Sequence, residues 1–307
     1  MVNVRARSDD ARISRDWEPR PSRAYRIFRG ANVVILIGIV VLTLYPFFNI
    51  IARSFSGEQY IQSGQVNLIP LGFNLTTYKI VLSDPMFWIN YRNTVVYTIV
   101  GTAISMFLTT CYAYVLSKKQ LRGRRALVWV AVFTLFFNGG LIPNYILVTS
   151  LGMVDTLWAI VLPNAISVFN LLVMKSFFEN LPTELEEAAA VDGLDTYRIL
   201  IQIVLPLSKA VLATMTLFYA VSLWNSWFTA FLYLDHSDLF PVTMYLRNLI
   251  AGATGATGAG AATSDLQQAA ANIQSVTIVL TVLPIVLVYP FIQRYFVSGI
   301  TLGSVKG

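Results

Sequence analysis

Three short stretches of this chain carry residue types that could do chemistry. Between Pro182 and Pro206 the sequence sets Glu184, Glu186, Glu187, Asp192 and Asp195 around Ala188-Ala189-Ala190 and Gly193. A charged, capped element of this kind between long apolar runs points to something that docks on it. From Tyr219 to Trp227 an apolar run gathers Tyr219, Ser222, Trp224, Asn225, Ser226 and Trp227. Aromatic faces can rest on sugar C–H surfaces while amides and hydroxyls bond the sugar hydroxyls. The same mixture also serves helix–helix hydrogen bonding and an interfacial aromatic belt. The single histidine, His236, stands beside Asp235 and Asp238. No serine, cysteine or metal constellation accompanies it, so it reads as a solvated loop residue, with no catalytic residue and no metal site expected.

The elements that must carry these residues are apolar. The chain is 56% hydrophobic and 12% charged, far from the roughly 25% charged of an ordinary soluble domain. Six blocks reach the about 20 residues, at roughly 1.5 Å rise each, that a helix crossing a bilayer needs. They run from Ala31 to Ala52, Asn93 to Ser117, Ala126 to Ser150, Leu157 to Met174, Ala210 to Leu234 and Ile273 to Gln293, and none contains Asp, Glu, Lys, Arg or His. The expected fold is all-α: a polytopic membrane protein with six transmembrane helices, residues 31–307, behind a basic arm, residues 1–30. The first block follows too extended a polar arm to be a cleaved signal peptide and reads as a retained span. Cys111 is the only cysteine, which excludes an intrachain disulfide and a cysteine-based metal site.

Orientation follows from the excess of lysine and arginine expected on the cytoplasmic side. The arm carries Arg5, Arg7, Arg12, Arg15, Arg20, Arg23, Arg26 and Arg29, and the loop after the second block carries Lys118, Lys119, Arg122, Arg124 and Arg125. Placing both inside puts the segment from Lys175 to Lys209 and the tail on the same side, with eighteen of the 22 basic residues. Both termini are then cytoplasmic. The net charge of +6 is explained by topology, and no nucleic-acid partner is needed.

Within the segment 182–206, Thr183-Glu184-Leu185-Glu186 fits a capping box, with the Thr183 hydroxyl and the Glu186 carboxylate satisfying each other's backbone amides. A short helix is expected from Thr183. Its alanines give a small, smooth surface, and Gly193 suits the left-handed position that ends a helix. A second amphipathic piece starts near Asp195 or Thr196 and reaches Leu205-Pro206, where proline fits the first turn of the next span. Inside the spans, Pro46, Gly139-Gly140 with Pro143, Pro163, Pro284 and Pro290 interrupt helices, either as packing kinks or as the lining of a cavity.

Here the chain resembles a known family. Glu-Ala-Ala, three residues, Gly, nine residues, Ile-x-Leu-Pro is the signature of permease subunits of bacterial ABC importers, and it is matched at Glu187, Ala188, Ala189, Gly193, Ile203, Leu205 and Pro206. Phe137 to Pro143, Tyr219 to Phe228 and the tail from Gly299 to Gly307 are similar to the maltose-type carbohydrate branch, especially permeases for complex oligosaccharides. The resemblance implies a cytoplasmic coupling helix, with Glu186, Glu187, Ala188, Ala189, Asp192 and Gly193 contacting a separate ATPase. It implies that the tail 297–307, through Gly303, Ser304, Val305, Lys306 and Gly307, reaches the ATPase dimer. It implies that the extracytoplasmic loop 235–272 contacts a solute-binding protein. Candidate pathway residues are Tyr219, Ser222, Trp224, Asn225, Trp227 and Asn144.

The partners so implied are a second, related permease, two ATPase subunits holding ATP and magnesium, the solute-binding protein and membrane lipid. No cofactor is expected on this chain, which lacks a Walker-type sequence. The low-complexity tract Ala251 to Gly260 departs from the family pattern and is expected to be flexible. Three other readings have less support. A permease of the same kind for a non-sugar solute differs only in cargo. An ion-coupled transporter would need an ionisable residue within a span, and a membrane enzyme would need a catalytic constellation.

Overall fold

The computed structural model describes residues 22–258, 272–288 and 290, and every regular element among them is helical. By its contacts the chain falls into two units, residues 1–50 and 51–307. The first consists of most of α1, Arg23–Ser54. Ser22 starts this helix, its hydroxyl accepting from the Tyr25 amide at 3.2 Å, so the last part of the basic arm is already helical.

In the second unit, α2 (Glu58–Gln62) and α3 (Thr76–Ser83) lead into α4 (Pro85–Ser117). The Asp84 carboxylate accepts from the Met86 amide at 2.9 Å and Pro85 opens the first turn, which extends the expected second block upstream. α4 is the organising helix. Tyr97, Gly101, Ser105, Thr109 and Ala113 recur at four-residue spacing along one buried stripe. A Cβ on Gly101 would come within 2.7 Å of the Leu223 side chain and 3.2 Å of Val161, so close approach of neighbouring helices depends on a residue without a side chain.

The remaining helices are α5 (Arg124–Phe136), α6 (Leu141–Ser150), α7 (Leu157–Val161), α8 (Val168–Glu179), α9 (Thr183–Val191) and α10 (Thr196–Ile199). A π-helical turn, Leu200–Val204, joins α10 to α11 (Leu205–Leu207); then come α12 (Lys209–Trp224), α13 (Trp227–Tyr233), α14 (Val242–Gly258) and α15 (Asn272–Val288). Three of the expected blocks are broken: the third at 137–140, the fourth at 162–167 and the fifth at Asn225-Ser226. α1 and α4 are each long and apolar enough to cross a membrane, and counting two bent pairs as single spans brings the number to four among the described residues. One pair is α5 with α6, bent by 113°; the other is Thr196–Leu207 with α12, bent by 86°.

Proline accounts for the π-helical turn. Pro206 cannot donate to Gln202 and its ring would press on that carbonyl, while the Leu205 amide bonds the Leu200 carbonyl one residue further back. The Gly/Ala tract corrects an expectation: α14 continues through it as far as Gly258, its alanines carrying none of the roughly 1 kcal/mol cost that each glycine adds. Residues 259 and 260 lie outside the described residues.

Candidate functional site

Helix α9 is built to hold one shape. It starts at Thr183 as expected, but the capping box does not form: Pro182 occupies the cap without a side-chain bond, and the Glu186 carboxylate is drawn instead to the ammonium of Lys118. Lys118 also lies 4.0 Å above the Tyr114 ring, and the Tyr114 hydroxyl donates to Glu186 at 3.5 Å. An ion pair to another helix thus outcompetes the local reach back to the helix's own first turn. At the far end Gly193 adopts φ 84°. Its amide bonds the Ala190 carbonyl at 3.1 Å, and the Leu194 amide bonds the Ala189 carbonyl at 3.0 Å. This is the Schellman arrangement, which satisfies the last carbonyls of a helix. Asp195 then caps α10, accepting from the Arg198 amide at 2.8 Å.

The three alanines do not share one surface. Ala189 is buried and belongs to the core formed by Tyr114, Leu171, Met174, Phe178 and Ile199, while Glu187, Ala188, Ala190, Asp192 and Gly193 are exposed. Ala189 therefore ties α9 to α4 and α8, and the free face belongs to its neighbours. Two large side chains flank that face, Val191 at 88% and Tyr197 at 78% exposure. Behind it, Glu179 pairs with Arg124 and, at 2.9 Å, with Lys175. Basic residues read from the sequence as topology markers thus also fix this end of the helices to one another.

A second feature lies where two helix breaks meet. A cavity of about 760 Å³ is lined by Gly139 and Gly140 between α5 and α6, by Pro163 and Asn164 after α7, and by Phe228 and Tyr233 of α13. Among the described residues, no Asp, Glu, Lys, Arg or His lines it. Gly140, at φ 91° and ψ 171°, precedes α6 in backbone geometry essentially confined to glycine, and no side chain caps that helix. The Asn138 side-chain oxygen accepts from the Gly140 amide at 2.9 Å and from the Asn144 amide group at 3.2 Å.

Of the pathway candidates, only Asn144 lines this cavity. Tyr219 is buried; its hydroxyl shares a 2.6 Å hydrogen bond with Thr109 and accepts from the Ser167 amide at 2.9 Å. Trp224 is buried and donates to the Thr281 carbonyl at 3.1 Å. Ser222 and Asn225 are exposed, the Asn225 amide donating to the Val221 carbonyl at 2.8 Å. Trp227 is exposed and has the Arg247 guanidinium 5.3 Å from its ring. Asn138 and Asn164 escaped the candidate set, although asparagines beside Gly-Gly and Pro within apolar blocks were the available signal. The tail residues Gly303 to Gly307 lie outside the described residues.

His236 has a partner the sequence did not reveal. Its Nδ1 lies 3.0 Å from Asp155 Oδ2, while Asp155 Oδ1 accepts from the amides of Asp235 at 2.7 Å and His236 at 3.3 Å. The amide bond from Asp235, ahead of smaller effects, holds the Asp155 carboxyl below the ordinary carboxylate range. Asp155 itself has φ 58°, a conformation aspartate tolerates better than most residues.

A helical chain with long, strongly apolar helices, helix breaks facing a cavity and one short helix anchored to the core belongs to the class of membrane transport components. The chain belongs to the family of binding-protein-dependent transport system inner membrane components, which matches residues 86–302. It is thus a permease component of an ABC transport system in the inner membrane. It is 41% identical to protein LplC of Bacillus subtilis over 93% of this chain and 97% of that one. It is likewise 41% identical to the polygalacturonan/rhamnogalacturonan transport system permease protein YtcP of Bacillus subtilis, over 92% of this chain and 99% of that one. The structure matches a chain of a bacterial ABC transporter involved in the import of the acidic polysaccharide alginate, with a TM-score of 0.82 and 33% identity, over 91% of this chain and 99% of the other.

Proposed function

We propose that this permease forms half of the translocation pathway of an ATP-driven carbohydrate importer, a second related permease forming the other half. The named cargoes of similar proteins support the carbohydrate class: polygalacturonan and rhamnogalacturonan for one relative, alginate for the structural neighbour. The chain crosses the membrane six times with both termini cytoplasmic, the bent and broken helices accounting for spans that no single straight helix supplies. A solute-binding protein delivers the sugar to the extracytoplasmic side, where the loop 235–272 meets it. Two ATPase subunits bind ATP and magnesium, and this permease contributes no catalytic residue.

Coupling is assigned to α9. The observation that carries this is its rigidity: a Schellman end at Gly193 and a buried Ala189 fix the helix to the core, while Glu187, Ala188 and Asp192 remain exposed. A helix held this way passes a push from the ATPase to α4, α8 and α12 instead of absorbing it. The tail from Gly303 to Gly307 provides a second ATPase contact. Of the pathway candidates, Asn144, Ser222, Asn225 and Trp227 are free to meet solute, and Tyr219 and Trp224 hold helices in place. In proteoliposomes containing both permeases, the ATPase and the binding protein, Glu187→Lys or Gly193→Pro abolishes ATP-driven uptake and loosens ATPase co-purification. Wild-type values for both would overturn the docking assignment.

A further inference from the structure

The cavity between the two helix breaks is where the fold spends unsatisfied backbone. A bilayer-spanning chain tolerates non-helical backbone only where it is buried in protein or lines a water-filled space, and both breaks, 137–140 and 162–167, open onto the same space. Its side-chain chemistry is selective. Asn138, Asn144 and Asn164 supply amides, Thr134 and Thr229 supply hydroxyls, the exposed Phe228 supplies aromatic surface, and among the described residues no cationic side chain or carboxylate lines it. Asn138 and Asn144 spend part of their capacity on each other and on the Gly140 amide. Asn164 is exposed to the cavity and its side chain has no hydrogen-bond partner among the described residues.

We propose that this cavity is a subsite for a sugar ring, in which the amides of Asn138, Asn144 and Asn164 bond ring hydroxyls and the exposed Phe228 ring covers the C–H surface. The assignment rests on the carbohydrate reading above and adds the site and its chemistry. Amides both donate and accept, which matches hydroxyls, whereas a carboxylate in so apolar a place calls for a paired cation. The subsite therefore reads the hydroxyl pattern of a ring whether or not the sugar is acidic elsewhere. Its volume of about 760 Å³ falls in the range of small-molecule pockets, about 300–1,000 Å³.

The test uses the complete transporter in proteoliposomes with its binding protein and a panel of radiolabelled trisaccharides: arabinotriose, maltotriose, galactotriose, trigalacturonate and methyl-esterified trigalacturonate. Asn164 is the position to change, because its side chain supports nothing else in the fold. Asn164→Ala is expected to raise the KM for uptake about tenfold with a smaller change in maximal rate, the loss of one or two hydrogen bonds. Asn164→Gln, which keeps the amide, recovers part of it, and assembly of the complex is checked by size-exclusion chromatography. An unchanged KM in Asn164→Ala and Asn144→Ala, with robust wild-type uptake, overturns the subsite and leaves the carbohydrate reading standing. Wild-type failure on the whole panel overturns both. A rise confined to trigalacturonate and absent from its methyl ester would show that the amides hold a carboxylate, and overturns the hydroxyl assignment.

Discussion

Gly193 and Gly140 both place a positive φ at the edge of a helix, and the chain treats the two very differently. Around Gly193 every loose end is tied: the Schellman bonds close α9, Asp195 caps α10, and the pairs Lys118–Glu186 and Arg124–Glu179 bind the neighbouring helices. Around Gly140 the helix that follows has no side-chain cap, the nearby polar groups are neutral amides, and the backbone opens on a cavity with no charged side chain among its described lining. The same residue type serves stiffness at one place and access at the other. On the function proposed above, charged pairs stand where force would be transmitted and are withheld where a hydroxyl-rich ring would be received.

The largest effect expected from breaking this contrast lies at Gly193. No atom stands within 4 Å of a Cβ built there, so a substitution is opposed by backbone conformation alone, at about 1–2 kcal/mol for an ordinary residue held left-handed. Uptake should fall in the order glycine, asparagine, valine, since asparagine tolerates the left-handed region and a β-branched residue does not. Equal uptake by Gly193→Asn and Gly193→Val would show that a relaxed helix end transmits as well as a closed one.

Tyr219 gives the next largest effect. Its hydroxyl joins Thr109 on α4 to the Ser167 amide ahead of α8, and Tyr219→Phe strips the amide of its partner. The expected loss is about 1–3 kcal/mol, read as a lower unfolding temperature in detergent, with uptake KM near the wild-type value. Unaltered stability with a raised KM would move Tyr219 from the frame of the protein into its solute path. A smaller effect is expected at the Lys118–Glu186 pair, whose side chains are 34% and 24% exposed. Screened by solvent, the pair contributes about 0.2–1 kcal/mol. Lys118→Glu should lower coupled uptake severalfold, and Lys118→Glu with Glu186→Lys should restore it. Failure of the double variant would mean that Lys118 acts through the Tyr114 ring beneath it.

How much of this could be read from sequence depended on the range of the forces. The start of α9 at Thr183, its end at Gly193 and the cap at Asp195 were legible, because helix ends are set by residues a few positions away. The capping box was misread because Glu186 found a lysine 68 positions earlier, and no local pattern shows that competition. The apolar blocks were legible as membrane material, but the 113° bend between α5 and α6 was visible only as a Gly-Gly and a proline. The cavity was hidden for the same reason: Asn138, Asn164 and Tyr233 lie in three separate blocks, and the packing of α13 against α6 and α7 that brings those blocks together leaves no local pattern.

The smallest effect is expected at Asp155, where charge reappears beyond the neutral cavity. Its carboxylate accepts the amides of Asp235 and His236, and those bonds lower its pKa in the folded protein. A carboxyl whose folded pKa is depressed contributes its stability above the unfolded value, about 3.9, and loses it as the pH falls through the folded value. Asp155→Asn keeps a side chain that tolerates φ 58° and removes the charge alone. Made in a His236→Ala background, so that only the amide bonds are compared, the substitution should lower the unfolding temperature by a constant amount from pH 8 to pH 5. Below about pH 4 the two proteins should converge as the aspartate protonates. A gap that stays constant down to pH 3 would show that the loop holds by shape instead of charge, and would make this end of the protein resemble the uncharged break at Gly140 more than the paired one at Gly193.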